Sequence, residues 1–440
     1  MTAIRRSGVT YKIGLLGLGT VGTGTVQILQ DKALRHPLLQ ELEIYRVGVR
    51  SLDKPRSVVL PEAMLTTDLD DIVSDRAVDI VVELIGGLEP ARSLILKAIS
   101  HGKHVVTANK AVISRYGPEI FDAANEKGVY VMLEAAVGGG IPVIQPLKQS
   151  LGANRITSVF GIVNGTTNYI LTRMRFEGAD FDAVLADAQR LGYAEADPTA
   201  DVDGLDAADK IAILASLAFG GRIKLEDVFC EGIKKVSAAD IAYAEKLGFV
   251  IKLLGVARRV ESDGETDRLS VRVHPTLVPL AHPLASINGV YNAILIEGEP
   301  LGQVMFFGPG AGAGPTASAV VADILNVAAV LKTETEPIPH PLISCNHQHY
   351  CPIAPMADLV TRFYARFLTK DSAGVIGYLG TCFGNNGVSL ESVVQTGMRD
   401  GLAEIVVVTH DVREGNFSAA LSEISQLDAI ASIPSVLRVL

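Results

Sequence analysis

The sequence predicts an α/β chain in three parts: a doubly wound parallel sheet, an α+β segment built on an open mixed sheet, and a ferredoxin-like tail. Three observations carry that division. Through about residue 141, short apolar strands alternate with helical pattern, as in a parallel sheet with helices on both faces. From Pro142 the periodicity changes to mixed segments, among them Leu269–Pro275 and Gly289–Glu297, consistent with an open sheet covered by helices on one side. Over residues 361–440 the elements read strand, helix, strand, strand, helix, strand. The glycines clustered at 308–314 open an apolar helix over 317–331 that completes the first part, leaving 142–307 as the second domain and 333–360 as a linker.

Tyr11–Leu16 reads as a buried strand that runs straight into Gly17-Leu18-Gly19-Thr20-Val21-Gly22 and a helical pattern to Gln30. In such a G-x-G-x-x-G turn the first glycine permits the bend and the second admits a pyrophosphate to the backbone. The third lets helix and strand pack closely, and the phosphates rest on the helix N-terminus. The first part is therefore a Rossmann-type NAD(P)-binding domain. Leu42–Val49 is its second strand; where an NAD site usually carries an acid for the ribose, Arg50, Lys54 and Arg56 follow instead. Cations suit a 2′-phosphate and favour NADP; an exposed basic loop is the other reading, and use of both cofactors stays open.

Asp79–Leu84 and Lys103–Thr107 continue the strands around a helix at Ala91–Ser100. Ala108-Asn109-Lys110 then falls at the carboxyl end of a strand, where ligands bind in such sheets. After a strand at Val129–Leu133, the run Glu134–Pro142 carries three consecutive glycines. They let carbonyls turn inward around a hard cation, or simply join two domains.

Ile156–Val163 reads as a strand, Asn164-Gly-Thr-Thr-Asn168 as a turn with an N-cap, and Asp180–Leu191 as an amphipathic helix. Then comes Ala188–Lys210, AQRLGYAEADPTADVDGLDAADK, rich in Asp between apolar flanks. Asp206 is a plausible start for the helix that runs on to Ala218, so Asp206 and Lys210 leave one face a turn apart. An isolated pair of this kind is usually a solvated ion bridge. Here the residues after Lys210 are almost wholly apolar, and the GYAEADP turn brings Glu195 into the same neighbourhood. Carboxylates hold an amino group and a lysine can give a proton to a carbonyl oxygen; Glu195, Asp206 and Lys210 supply both.

With 48% hydrophobic residues, 20% charged residues and a net charge of −10, the chain has core for several domains and no nucleic-acid footprint. Four scattered cysteines, Cys230, Cys345, Cys351 and Cys382, fit a reducing cytoplasm. Arg5-Arg6 ahead of Ile13–Val26 loosely imitates a secretion signal, but glycines break it, and no other run approaches a membrane span. Cys345, His347, His349 and Cys351 alternate along the chain and would need a turn to close a zinc tetrahedron. Whether they bind anything stays open.

The 188–210 stretch resembles the signature of homoserine dehydrogenase, with Ala188, Gly192, Asp197, Pro198, Asp201, Gly204, Asp206 and Lys210 at its fixed positions. T-A-N-K at Thr107–Lys110 and N-G-T-T-N at 164–168 are similar to further segments of that family, and the tail resembles an ACT domain, a module that binds amino acids at paired interfaces. The resemblance covers nearly the whole chain. It implies reversible reduction of L-aspartate 4-semialdehyde to L-homoserine with NADP or NAD, towards threonine, methionine and isoleucine, by a cytoplasmic homodimer or homotetramer. It also implies Lys210 as proton donor, Lys110 as electrostatic support or alternative donor, and Glu195 and Asp206 on the substrate ammonium. The cofactor would meet Gly17, Gly19, Thr20, Val21, Gly22, Arg50, Lys110, Gly192 and Gly312, and a sodium ion the carbonyls of Glu134, Val137, Gly139 and Ile141. An ACT tail implies threonine feedback, a domain used only for assembly being the alternative. Two rivals share the plan. One is a catalytically silent nucleotide and amino-acid sensor, against which the intact lysine–carboxylate set speaks. The other is an amino-acid dehydrogenase for a substrate with a second carboxylate, for which the central stretch offers only acids.

Overall fold

The computed structural model describes residues 10–260, 268–333, 340–345, 347–399 and 401–440; Arg5-Arg6 and most of the 333–341 linker lie outside the described residues. By contact the chain divides into two compact units, 1–156 with 212–225 and 296–350, and 157–211 with 226–295 and 351–440.

In the first unit the alternation of strand and helix gives a six-stranded sheet, parallel throughout. Its strands are β1 (Tyr11–Leu16), β2 (Leu42–Gly48), β3 (Leu65–Thr66), β4 (Ile80–Glu83), β5 (His104–Thr107) and β6 (Val131–Met132), in the order β3-β2-β1-β4-β5-β6. The order reverses between β1 and β4, which opens a crevice at the carboxyl ends of the strands. Helices α1 (Thr20–Gln30), α2 (Leu69–Ser74), α3 (Ala91–Ser100), α4 (Lys110–Lys127) and the short α5 (Ile144–Lys148) connect and follow them.

Helices α6 (Gly165–Glu177), α7 (Phe181–Arg190), α8 (Thr199–Val202), α9 (Leu205–Phe219) and α10 (Ala238–Lys246) come next, and α11 (Ala313–Thr333) lies in the first unit. It lies along α1, where a Cβ on Gly24 would sit 2.6 Å from the Ala313 carbonyl oxygen. The helix starts four residues before the expected Ala317, because Pro315 falls in the first turn, where its missing N–H has no intrahelical partner to lose. At 21 residues it is long and apolar enough to cross a membrane by length and composition, which corrects the expectation that no such run exists. Val320, Ile324, Val327 and Ala328 are nevertheless fully buried among Ile13, Leu15 and Val26, as in the central helix of a folded core.

The second unit is organised on a mixed sheet of β7 (Arg155–Ile162), β8 (Phe229–Cys230), β9 (Phe249–Val260), β10 (Arg268–Pro279) and β11 (Tyr291–Glu299), and β12 (Gly302–Pro309) follows within the residues of the first unit. The tail adds β13 (Val360–Thr369), α12 (Val375–Asn385), β14 (Leu390–Arg399), β15 (Leu402–Thr409), β16 (Val412–Arg413), α13 (Glu414–Ile424) and β17 (Ile430–Val439). Their order, β17-β13-β15-β14, is the ferredoxin-like one. Phe363, Phe367, Phe383 and Phe417 fill the space between this sheet and its two helices.

The tail does not hang free. β9 covers one edge of β10 along its whole length, and three separate segments seal the other edge. β8 pairs at Arg272, Pro352 accepts from the Leu269 N–H, and β17 pairs at Thr276 and Leu277. Strands of the tail and of the substrate half thus form one continuous sheet. Where α10 covers it, Arg366 donates to Asp240 at 2.7 Å and to Glu404 at 2.7 Å, and Tyr364 and Tyr243 donate to the same two carboxylates. Arg366→Met would leave the fully buried Asp240 without its counter-charge. Urea titration should find the variant less stable by about 3–5 kcal/mol, and a loss under about 1 kcal/mol would refute the network's structural weight.

Candidate active site

In the first unit the glycine turn has the geometry its spacing predicts. Gly17 adopts φ +101°, and a Cβ there would lie 2.8 Å from the Leu84 carbonyl oxygen; a Cβ on Gly22 would lie 2.2 Å from the Gly17 carbonyl oxygen. Gly19 has open space where a side chain would go and N-caps α1 without a side-chain bond. Thr20 and Val21, which open the helix, therefore present main-chain N–H groups at an uncapped positive helix end, a ready anion site. Arg50 is exposed just past β2, as is Lys54. Arg56 is spent differently: its guanidinium donates to the carbonyls of Ser51, Leu52 and Lys54.

Lys110 opens α4 at the end of β5, half-buried. A residue outside the sequence-derived site fixes it there. Glu83, fully buried at the end of β4, accepts from the Thr107 hydroxyl at 2.6 Å and from the N–H groups of Ile85 and Gly86. Asn109 caps α4 and donates to Gly87 O at 2.8 Å. An acid ending an otherwise apolar strand is the signal by which the sequence marks Glu83.

The Glu134–Ile141 run is a fixed turn rather than a loose crossover. Gly138 and Gly139 have φ +74° and +56°, and a Cβ on Gly139 would stand 2.3 Å from the Gly310 carbonyl oxygen. The Glu134 carboxylate is consumed by the N–H groups of Val143, Ile144 and Gln145, while its own N–H donates to the buried Asp323 at 2.7 Å. Burial holds both carboxyls above their usual range. Gly312, two residues past Gly310, has φ +120°. Among the described residues no three His, Cys, Asp or Glu side chains are grouped to hold a metal. The carbonyls of His347 and His349 instead accept from Arg222.

In the second unit Asp206 and Lys210 meet as their spacing predicts, at 2.7 Å. The pair is buried, with 8% and 13% of the two side chains exposed, because α9 turns its apolar face to the core around them. The helix begins at Leu205, so Asp206 is not its start as expected but lies one residue inside the first turn. Asn164 donates from one amide nitrogen to Asp201 at 2.7 Å and to Asp206 at 2.8 Å, while its oxygen N-caps α6. Lys210 also donates to Val163 O at 2.7 Å. An ammonium has three N–H bonds, and among the described residues two of Lys210's are in use. Burial, with Asp206 adding, pushes the Asp201 carboxyl up against the pull of the Asn164 bond.

Glu195 departs from the expected trio. It is exposed, on a turn whose Tyr193 carbonyl accepts from the Thr166 hydroxyl at 2.7 Å, so the turn is tied to the N-G-T-T-N segment that also carries Asn164. Gly192, also exposed, takes φ +77° at the start of this turn. Cys230 donates to Asp203 O, and burial, reinforced by nearby Asp203 and Asp209, pushes its thiol up to about 11.

A dinucleotide turn at the switch point of a doubly wound sheet, together with a buried lysine–carboxylate pair in the second unit, defines a nicotinamide-dependent oxidoreductase. A family model described as "Homoserine dehydrogenase, NAD binding domain" matches residues 17–134, and one described as "Homoserine dehydrogenase" matches residues 142–325. The chain is 69% identical to a homoserine dehydrogenase of Synechocystis over 98% of this chain and 100% of that one. Its structure is similar to that of a homoserine dehydrogenase from Thiobacillus denitrificans, with a TM-score of 0.89, 44% identity and 98% of each chain covered. A hyperthermophilic archaeal homoserine dehydrogenase in complex with NADPH matches at TM-score 0.60 and 27% identity, over 73% of this chain and 98% of that one. The chain belongs to the homoserine dehydrogenase family and is an oxidoreductase acting on a CH–OH group with a nicotinamide cofactor.

The second unit holds another buried lysine outside the sequence-derived site, marked in the sequence only as a lone Lys in FVIKLLGVA. Lys252 donates to the Asn168 amide oxygen, to Ile287 O and to the Asn288 amide oxygen. Burial, with Arg175 adding, pulls it from 10.5 down to about 7. The unfolded chain keeps that proton to much higher pH than the folded one, so between these values folding releases it and stability rises with pH. Thermal melts between about pH 7 and about pH 9 should show a steeper gain in Tm for the native chain than for Lys252→Met, and equal slopes would refute the assignment.

Proposed function

We propose that this chain interconverts L-homoserine and L-aspartate 4-semialdehyde through Lys210, and that the observation carrying this reading is the buried Lys210–Asp206–Asn164 cluster. The nicotinamide, when bound, supplies or takes the hydride. As negative charge grows on the aldehyde oxygen, Lys210 donates a proton to it, using the N–H its two protein bonds leave over. Asp206 and Glu195 hold the substrate ammonium, which fixes the face of the aldehyde that meets the ring. Lys110, steadied at the end of β5, supplies positive charge to the same oxygen or serves as the alternative donor.

Gly17, Gly19, Thr20, Val21 and Gly22 would cradle the pyrophosphate, with Gly192 and Gly312 against the nucleotide. Arg50, exposed beyond β2, supports NADP over NAD, as does the NADPH bound by the archaeal relative. A sodium ion would be held by the main-chain oxygens of Glu134, Val137, Gly139 and Ile141; the left-handed glycines turn this segment tightly, and oxygen donors suit a hard cation.

In the tail, Thr369, Asp371, Ser372, Gly374 and Gln395 line a cavity of about 130 Å³ at the N-terminus of α12, which supports an ACT regulatory domain with threonine as its effector. Exposed Met305 and Phe307 on β12 support self-association as a homodimer or homotetramer, and four free cysteines support a cytoplasmic setting.

Lys210→Ala should lower turnover at least about a hundredfold while the cofactor still binds; near-normal turnover would remove Lys210 from the reaction. Arg50→Glu should raise KM for NADP about tenfold or more and leave that for NAD within about twofold, and unchanged discrimination would exclude Arg50 as the reader of the 2′-phosphate.

A further inference from the structure

We infer that Asn164 is the positioning residue of the reaction: it holds the carboxylates of Asp201 and Asp206 in one register and so fixes the direction in which Lys210 presents its remaining N–H. The inference rests on the reading of Lys210 and Asp206 given above and extends it to a residue that the sequence shows only as a helix cap.

The geometry separates two tasks in one side chain. The Asn164 oxygen accepts from the Thr167 N–H at 2.8 Å and from the Thr167 hydroxyl at 2.9 Å, which starts α6. The amide nitrogen faces the other way and donates to Asp201 at 2.7 Å and Asp206 at 2.8 Å. The residue is 5% exposed, so water cannot readily replace those two bonds. The oxygen of Asp206 that accepts from Asn164 also accepts from Lys210, and Lys210 in turn donates to the carbonyl of Val163, the residue before Asn164. Main chain, amide, carboxylate and ammonium thus close a ring, and each member has its orientation set by the next.

Two carboxylates brought together repel each other, and an amide N–H₂ placed between them offers one donor to each without adding charge. A lysine here would attract the acids but compete with Lys210 as counter-ion, and an aspartate would add a third negative charge. Serine keeps the capping oxygen and lacks the two N–H donors, so it divides the two tasks cleanly.

The test compares Asn164→Ser, which keeps the capping oxygen, with Asn164→Ala, which loses it, in the full-length protein. If positioning is the role, Asn164→Ser keeps Tm within about 2–3 °C of the native value and keeps cofactor affinity, yet kcat falls about ten- to hundredfold. If capping is all that Asn164 does, Asn164→Ser retains native kcat and KM, and only Asn164→Ala loses Tm and activity together; that result overturns the inference. Native rates in Asn164→Ser beside an inactive Lys210→Ala sink this inference alone, whereas an active Lys210→Ala sinks the reading beneath it.

Discussion

A lysine ammonium enclosed by an apolar helix survives only if something nearby answers its charge and its hydrogen bonds. That requirement organises the second unit of this protein. Asp206 answers the charge from one turn below, Val163 offers a carbonyl, and Asn164 keeps Asp206 from turning away. Each partner comes from a different element: α9, the end of β7 and the cap of α6. The charged group is therefore held by the fold rather than by its own flexibility.

The first unit depends instead on close approach of its own backbone. Glycines at 17 and 22 permit contacts that any side chain would block, and the uncapped start of α1 supplies main-chain N–H groups. Buried Glu83 works at the same edge of the sheet. It fastens the loop after β4 to the end of β5, so that Lys110 projects from a braced corner.

Much of this is legible in the sequence because it depends on local spacing. The glycine turn, the strand alternation, the tail's element order and the i, i+4 meeting of Asp206 with Lys210 all follow from residues close together in the chain. What escapes depends on distant partners. Arg56 has the look of one cation in a phosphate-binding trio, but the carbonyls of its own loop claim it. Asn164 and Asp201 read as a cap and a motif position, and nothing local says that they share a bond across 37 residues. β9, buried on both faces over most of its length, shows no alternation to mark it as a strand, and the Arg366 network depends on α10 and β15 arriving from far apart. The exposure of Glu195 follows from the tether at Tyr193, which no periodicity reveals.

The patchwork along the second edge of β10 has a consequence for biogenesis. β10 ends at Pro279, but β17, the strand that completes its register at Thr276 and Leu277, begins only at Ile430. During synthesis the Thr276–Leu277 end of β10 therefore lacks its partner on this side until the tail has emerged, while β8 is already available at Arg272. Such an edge is a template for any other extended segment, a second nascent copy included.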